Sequence, residues 1–245
     1  VVEHLEESWQ AVPLGKIDPE DYYDFQVNRP HVSVDETGVR SLDWPTTRVS
    51  LARPAGVGRD VVLVRGIEPN MRWRGFCAEL LAAVHDLGVE RIVTLGALLA
   101  DVPHTRPVPV TVSTSDEKLA KSLGLEPSRY QGPTGIVGVL QDAARRDGLV
   151  ATTLWAAVPH YVAQSPCPKA TLVLLRRIED LLNLPVPLGD LPDEARAWQH
   201  GVEELATEDP EIADYVRRLE QARDTTDLPE ASGEHIAREF ERYLR

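Results

Sequence analysis

Three apolar, strand-like runs in this chain each end abruptly in a short cluster of Gly, Pro, His, Arg and aromatic residues. Residues 61–65 run into Gly66-Ile67-Glu68-Pro69-Asn70-Met71-Arg72-Trp73. Residues 92–98 lead to Asp101-Val102-Pro103-His104-Thr105-Arg106-Pro107, and residues 151–158 to Pro159-His160-Tyr161. A fourth cluster, Tyr130-Gln131-Gly132-Pro133-Thr134-Gly135, opens a helix instead. In a parallel α/β sheet the strand C-termini share one edge, and ligands bind in the crevice outside it. The pattern therefore predicts that the clusters converge on one crevice, formed by Glu68, His104, Arg106, Tyr130, Thr134 and His160.

Helical periodicity fills the intervals. Residues 73–87 place Phe76, Leu80, Ala83, Val84 and Leu87 on one face before Gly88 stops the helix. Strand 61–65, this helix and strand 91–95 form a βαβ unit, expected to be right-handed and parallel. Strands 61–65, 91–95 and 151–158 are expected in one sheet, with helices 73–87, 133–147 and 168–182 on its faces. Shorter strands are predicted at 31–34, 39–44 and 108–113, an edge strand at 49–52, and a helix at 115–123. Residues 1–9 read as the end of an amphipathic helix, so that the sequence begins inside a longer protein. After residue 189 helical patterns alone follow, at 193–208, 210–222 and 232–244. The organisation predicted is an α/β domain over 1–189 followed by an acidic helical extension over 190–245.

Charge sharpens that boundary. The net charge is −13, and residues 190–245 hold 16 acidic against 7 basic residues. An acidic chain without a basic stripe argues against nucleic acid as a partner. No apolar run reaches the roughly 18 residues of a membrane span, so no membrane partner is expected. Cys77 and Cys167 lie far apart without a ligand-spaced neighbour, which suits reduced thiols in a cytoplasmic protein.

The clusters admit chemistry and plainer roles side by side. His104 can serve as a general base or bind an anion beside Arg106; otherwise it is a loop histidine bonded to a carbonyl. His160 has the same two readings. Glu68 can act as a base at a strand end, or tie down its loop by accepting backbone N–H groups. Gly132 to Gly135 can cradle an anion at a helix start, or form a tight turn, and lacks the lysine of a P-loop. Arg106 calls for a carboxylate partner, for which Glu68 is the candidate. The nucleophile candidates Thr105, Thr134 and Tyr161 have no activating neighbour in sequence. Neither a metal nor a cofactor is expected, since the histidines and Glu68 lack ligand spacing.

Several of these motifs, taken in order, resemble the proteasome assembly chaperone 2 family. They are Tyr23-Asp24-Phe25 with Asn28-Arg29-Pro30, the Trp44-Pro45 step, Gly66-Ile67-Glu68-Pro69 with Trp73, Leu95-Gly96-Ala97, and residues 101–107, 130–135 and 159–161. The resemblance covers roughly residues 20–180, and the acidic tail looks like the extension of the family's bacterial branch. It implies a three-layer α/β/α fold of the phosphorylase/hydrolase-like kind with a mixed central sheet. It also implies a homo-oligomer, a trimer by preference, with proteasome subunits as partners by analogy with eukaryotic members.

Two departures stand out. The family begins with a strand and a Gly-aromatic-x-Asp-Ala-Gly turn that this chain lacks. Its eukaryotic members dock through a terminal hydrophobic-Tyr-any triplet, whereas this chain ends Tyr243-Leu244-Arg245, one position out of register. Two function classes follow: a non-enzymatic assembly or interaction protein, and a small-molecule-binding or hydrolase-like enzyme using the strand-end crevice.

Overall fold

A computed structural model describes residues 1–125, 130–162 and 165–225. The described chain is a mixed α/β protein that divides into two compact units. One holds residues 2–90 and 134–149; the other holds the described residues of 91–133 and 150–225, with Val1.

In the first unit, helix α1 (Val2–Ser8) precedes strands β1 (Val12–Lys16), β2 (His31–Val34), β3 (Arg40–Asp43), β4 (Arg48–Ala52) and β5 (Val61–Arg65). Helix α2 (Trp73–Asp86) follows. Strands β1, β4 and β5 form one antiparallel sheet in that order. Strand β4 is thus central, not the edge strand its short apolar run suggested. Strand β4, flanked on both sides, buries Val49 on one face and Ser50 and Ala52 on the other, and α2 adds Phe76, Cys77, Leu80, Leu81 and Val84 to the core. Strands β2 and β3 make a separate hairpin, every residue of which is exposed. Ser33 and Ser41 hydroxyls bond across one of its faces at 2.6 Å, and the register puts Val32 opposite Leu42 on the other. Long after α2, the chain returns to this unit at residues 134–149.

The second unit starts with β6 (Arg91–Ala100), β7 (Val110–Thr114) and α3 (Glu117–Ser122). Asp116 caps α3, accepting from the N–H groups of Lys118 and Leu119. Helix α4 (Ile136–Arg146) belongs to the first unit, after which come β8 (Val150–Pro159), α5 (Pro168–Leu182), α6 (Leu191–Glu208) and α7 (Pro210–Thr225). The sheet order is β6-β8-β7, with β6 parallel and β7 antiparallel to β8. Strand β8 is the middle strand, and eight of its ten residues are buried, as two covered faces require. Gly96 faces Trp155 across the parallel register, and the indole fills the space a Cβ on Gly96 would need. This close approach accounts for the glycine in Leu95-Gly96-Ala97.

The expected single sheet is corrected here. Strands 91–100 and 150–159 do pair in parallel, but strand 61–65 pairs with β4. The short loop after Ala52 lets β5 fold straight back on β4, and local antiparallel pairing prevails over a crossover. The predicted helices at 73–87, 168–182, 193–208 and 210–222 are present within a few residues, whereas 232–244 lies outside the described residues. The helix expected from residue 133 begins at Ile136.

Candidate functional site

The second unit gathers three of the expected site residues, His104, Arg106 and His160, around the loop that follows β6. The backbone N–H of His104 donates to the Tyr161 hydroxyl at 2.8 Å, and the ring Nδ1 lies 2.9 Å from the same oxygen. One phenol oxygen thus serves both the backbone and the ring of His104. Nε2 is buried and has no hydrogen-bond partner among the described residues. His104 itself is 2% exposed. Burial lowers its pKa, a tendency compounded by Lys169 and opposed by Glu203 and Glu220, and the ring is held neutral. Burial likewise pushes the Tyr161 phenol up to about 12.

Arg106 points to the acidic extension. Its Nε and Nη2 donate to the two carboxylate oxygens of Asp224 at 2.9 and 2.6 Å, a fork-on-fork pair. Nη1 reaches Glu220 at 3.3 Å, and the Thr105 hydroxyl donates to the same Glu220 oxygen. The expected Arg106–Glu68 pair is therefore corrected: α7 supplies the carboxylates. The guanidinium holds the Asp224 carboxyl below its usual range, and Asp224 in turn raises Arg106.

His160 sits in a short 3-10 turn, His160–Val162, directly after β8. Its Nδ1 is 3.2 Å from Asp101, whose Oδ1 also accepts from the Tyr215 hydroxyl of α7 at 2.6 Å. The rings of His160, Tyr161 and Tyr215 meet edge to face, with centroids 5.3–6.0 Å apart.

Lys169 completes the cluster, and the sequence reading missed it. Its ammonium donates to the carbonyls of His104 and Arg106 and to Gln199 of α6. Burial lowers its pKa. A lysine in the first turn of α5 works against the helix dipole. That unfavourable position in Pro166-Cys167-Pro168-Lys169 was the available signal that a specific partner holds it.

The other expected residues do different work. Tyr130 donates its hydroxyl to the Pro133 carbonyl at 2.5 Å, and a Cβ on Gly132 would come 2.6 Å from that hydroxyl. In the first unit, Glu68 accepts the Ile136 N–H at 2.6 Å and so caps α4 from outside, since Gly135 has no side chain to do it. A Cβ on Gly135 would meet the Glu68 carboxylate at 2.8 Å. Thr134 packs over Gly138 one turn on. The anion expected at this helix start is the chain's own Glu68.

The remaining motifs tie the first unit together. Asn70 Oδ1 accepts from the Asp24 N–H and the Asn28 amide, at 2.9 and 2.7 Å. Tyr23 bonds Thr47 and the Ile67 carbonyl, while Trp73 Nε1 donates to the Pro69 carbonyl. Residues 23–28 and 66–73 are thus one structural knot. Among the described residues no group of three or more His, Cys, Asp or Glu is placed to hold a metal ion. None of the described helices is long and apolar enough to cross a membrane.

Comparison with solved structures gives a Streptomyces avermitilis PAC2 family protein at 60% identity and a TM-score of 0.82, covering 88% of this chain and 91% of that one. A Mycobacterium tuberculosis proteasome-assembly chaperone homologue matches at 55% identity and a TM-score of 0.80, with the same coverages. An archaeal proteasome activator from Pyrococcus furiosus shares the fold, at 16% identity and a TM-score of 0.66 over 83% of this chain and 86% of that one. No curated protein matches. The PAC2 family model matches residues 1–206, which include the Glu68 cap, the His104–Tyr161 pair and the Lys169 clamp. The chain belongs to the PAC2 family.

Proposed function

We propose that the chain is a non-enzymatic assembly or interaction protein that handles proteasome subunits, in the manner its chaperone homologue's description implies. The observation carrying this reading is that the polar groups around the β6 and β8 loops bond to one another. The backbone N–H and ring Nδ1 of His104 engage Tyr161, Thr105 and Arg106 engage α7, and Lys169 is spent on two carbonyls and an amide. A hydrolase needs a nucleophile beside an available base. Here the carboxylate oxygen of Glu220 beside Thr105 is also taken up by Arg106, and the Tyr161 phenol is held up at about 12. A network bonded in this way suits a rigid docking surface.

The three-layer α/β/α arrangement, with 190–245 as a helical extension, belongs to the same reading, as does a cytoplasmic location. Self-association into a trimer is part of it too, supported by the exposed Val32, Val34 and Leu42 of the β2–β3 hairpin. A two-stranded hairpin with an apolar face in water is marginal alone.

The test is affinity capture of the tagged full-length chain from its native source, with the bound proteins identified by mass spectrometry. Proteasome α-type subunits should be enriched over a tag-only control. Capture without them would overturn the proteasome link.

A further inference from the structure

We propose that His104, Thr105 and Arg106 form a carboxylate-binding corner, filled in cis by Glu220 and Asp224 of α7, whose ligand in trans is an acidic helical segment with two carboxylates one turn apart. The inference deepens the interaction reading above and rests on it. The two acidic residues stand four apart on α7, which places them on one helix face. Arg106 reads one carboxylate with both arms of its fork and touches the other, and Thr105 adds a hydroxyl. Such two-point recognition is selective for carboxylates.

The corner is built independently of α7. Lys169 of α5 holds the carbonyls of His104 and Arg106, and Tyr161 holds the His104 N–H. The backbone that presents these side chains is thus fixed by α5 and the turn after β8.

The helix over it is held more lightly. Val216 is the buried apolar residue among the described side chains of α7, whereas α6 buries Leu191, Ala195, Val202 and Ala206. Beside the contacts of Tyr215 with Asp101, His160 and Tyr161, the attachment of α7 to the corner is ionic and partly exposed: the Arg106 and Asp224 side chains are 33% and 54% accessible. Pairs of that kind are weak and salt-sensitive.

Closure also leaves a defect. The buried Nε2 of His104 lies in the field of Glu203 and Glu220 yet has no hydrogen-bond partner among the described residues. An unmet buried polar atom penalises the closed arrangement. A segment that brings one further hydrogen-bond partner to His104 gains where α7 does not, which makes α7 a displaceable occupant.

Full-length protein and a fluorescein-labelled peptide of residues 210–225 test this by anisotropy. The double variant Glu220→Gln/Asp224→Asn removes the cis carboxylates and keeps the helix. It should bind the peptide about tenfold more tightly than wild type, as for a site otherwise open a tenth of the time. Adding Arg106→Ala should abolish the gain. If that variant fails to fold by circular dichroism, Arg106→Lys, which keeps the charge and loses the fork, should remove most of it. A peptide with Gln and Asn at the two acidic positions should not bind. Equal binding by wild type and double variant, or binding that survives loss of the Arg106 fork, overturns the proposal. Negative titration with successful proteasome capture refutes the corner alone; positive titration with failed capture refutes the proteasome link alone.

Discussion

The Tyr161 hydroxyl serves both the backbone N–H and the ring Nδ1 of His104, at 2.8 and 2.9 Å, and so joins the turn after β8 to the loop after β6. Tyr161→Phe strips a buried N–H and a ring nitrogen of their common partner. The expected loss is about 1–3 kcal/mol, read from urea denaturation. A phenol held at about 12 should also stay protonated in ultraviolet titration through pH 10, where free tyrosine ionises.

His104→Ala separates scaffold from catalyst. With the ring buried and bonded to Tyr161, its removal should cost about 1–3 kcal/mol. Turnover of an ester, peptide or nucleoside that vanishes in this variant at an unchanged melting temperature would reverse the functional reading.

The same histidine sets a pH dependence. Its folded pKa lies below the unfolded value of about 6.5, so the unfolded chain binds the extra proton first. Its contribution is fully present above pH 6.5 and is lost as pH falls from there through the lower folded value. Denaturation midpoints of wild type should decline over that interval more steeply than those of His104→Gln. Asp224, also lowered in the fold, adds a loss at more acid pH, below the usual aspartate range near 3.9.

Glu68 and Gly135 should be coupled. Glu68→Ala removes the cap of α4, at about 1 kcal/mol. Gly135→Ala pushes a methyl against the Glu68 carboxylate and should be destabilising alone. In the double variant the clash is absent, so the two losses should fall short of adding, a difference that a double-mutant cycle measures directly.

Multi-angle light scattering at micromolar concentration checks self-association. A trimer mass is expected, and a monomer would remove that part of the proposal.

The elements were legible wherever periodicity was strong. The apolar stripe of α2 and the near-continuous burial of β8 follow from residue spacing alone. Partner choice was not legible. Strand β5 looks the same in sequence whether it pairs with β4 or β6, because both offer apolar backbone and only loop geometry decides. Arg106 announced a need for a carboxylate, yet its partners lie 114 and 118 residues later, in a helix with many carboxylates to choose from. Glu68 went the opposite way: its plainer reading, a loop carboxylate accepting a backbone N–H, is the one the structure contains. Tyr215 carried no motif, since a tyrosine on a polar helix is common, and Lys169 offered only its unfavourable place in the first turn of α5.

Helix α4 completes a unit whose other elements all precede residue 91, and it packs on α2 after the chain has laid down β6, β7 and α3. A ribosome therefore exposes the apolar flank of α2 while some sixty further residues are made, and the Glu68 carboxylate waits as long for the Ile136 N–H it caps. Closing so large a loop is slow. The first unit can therefore close only once residues 134–149 have been made.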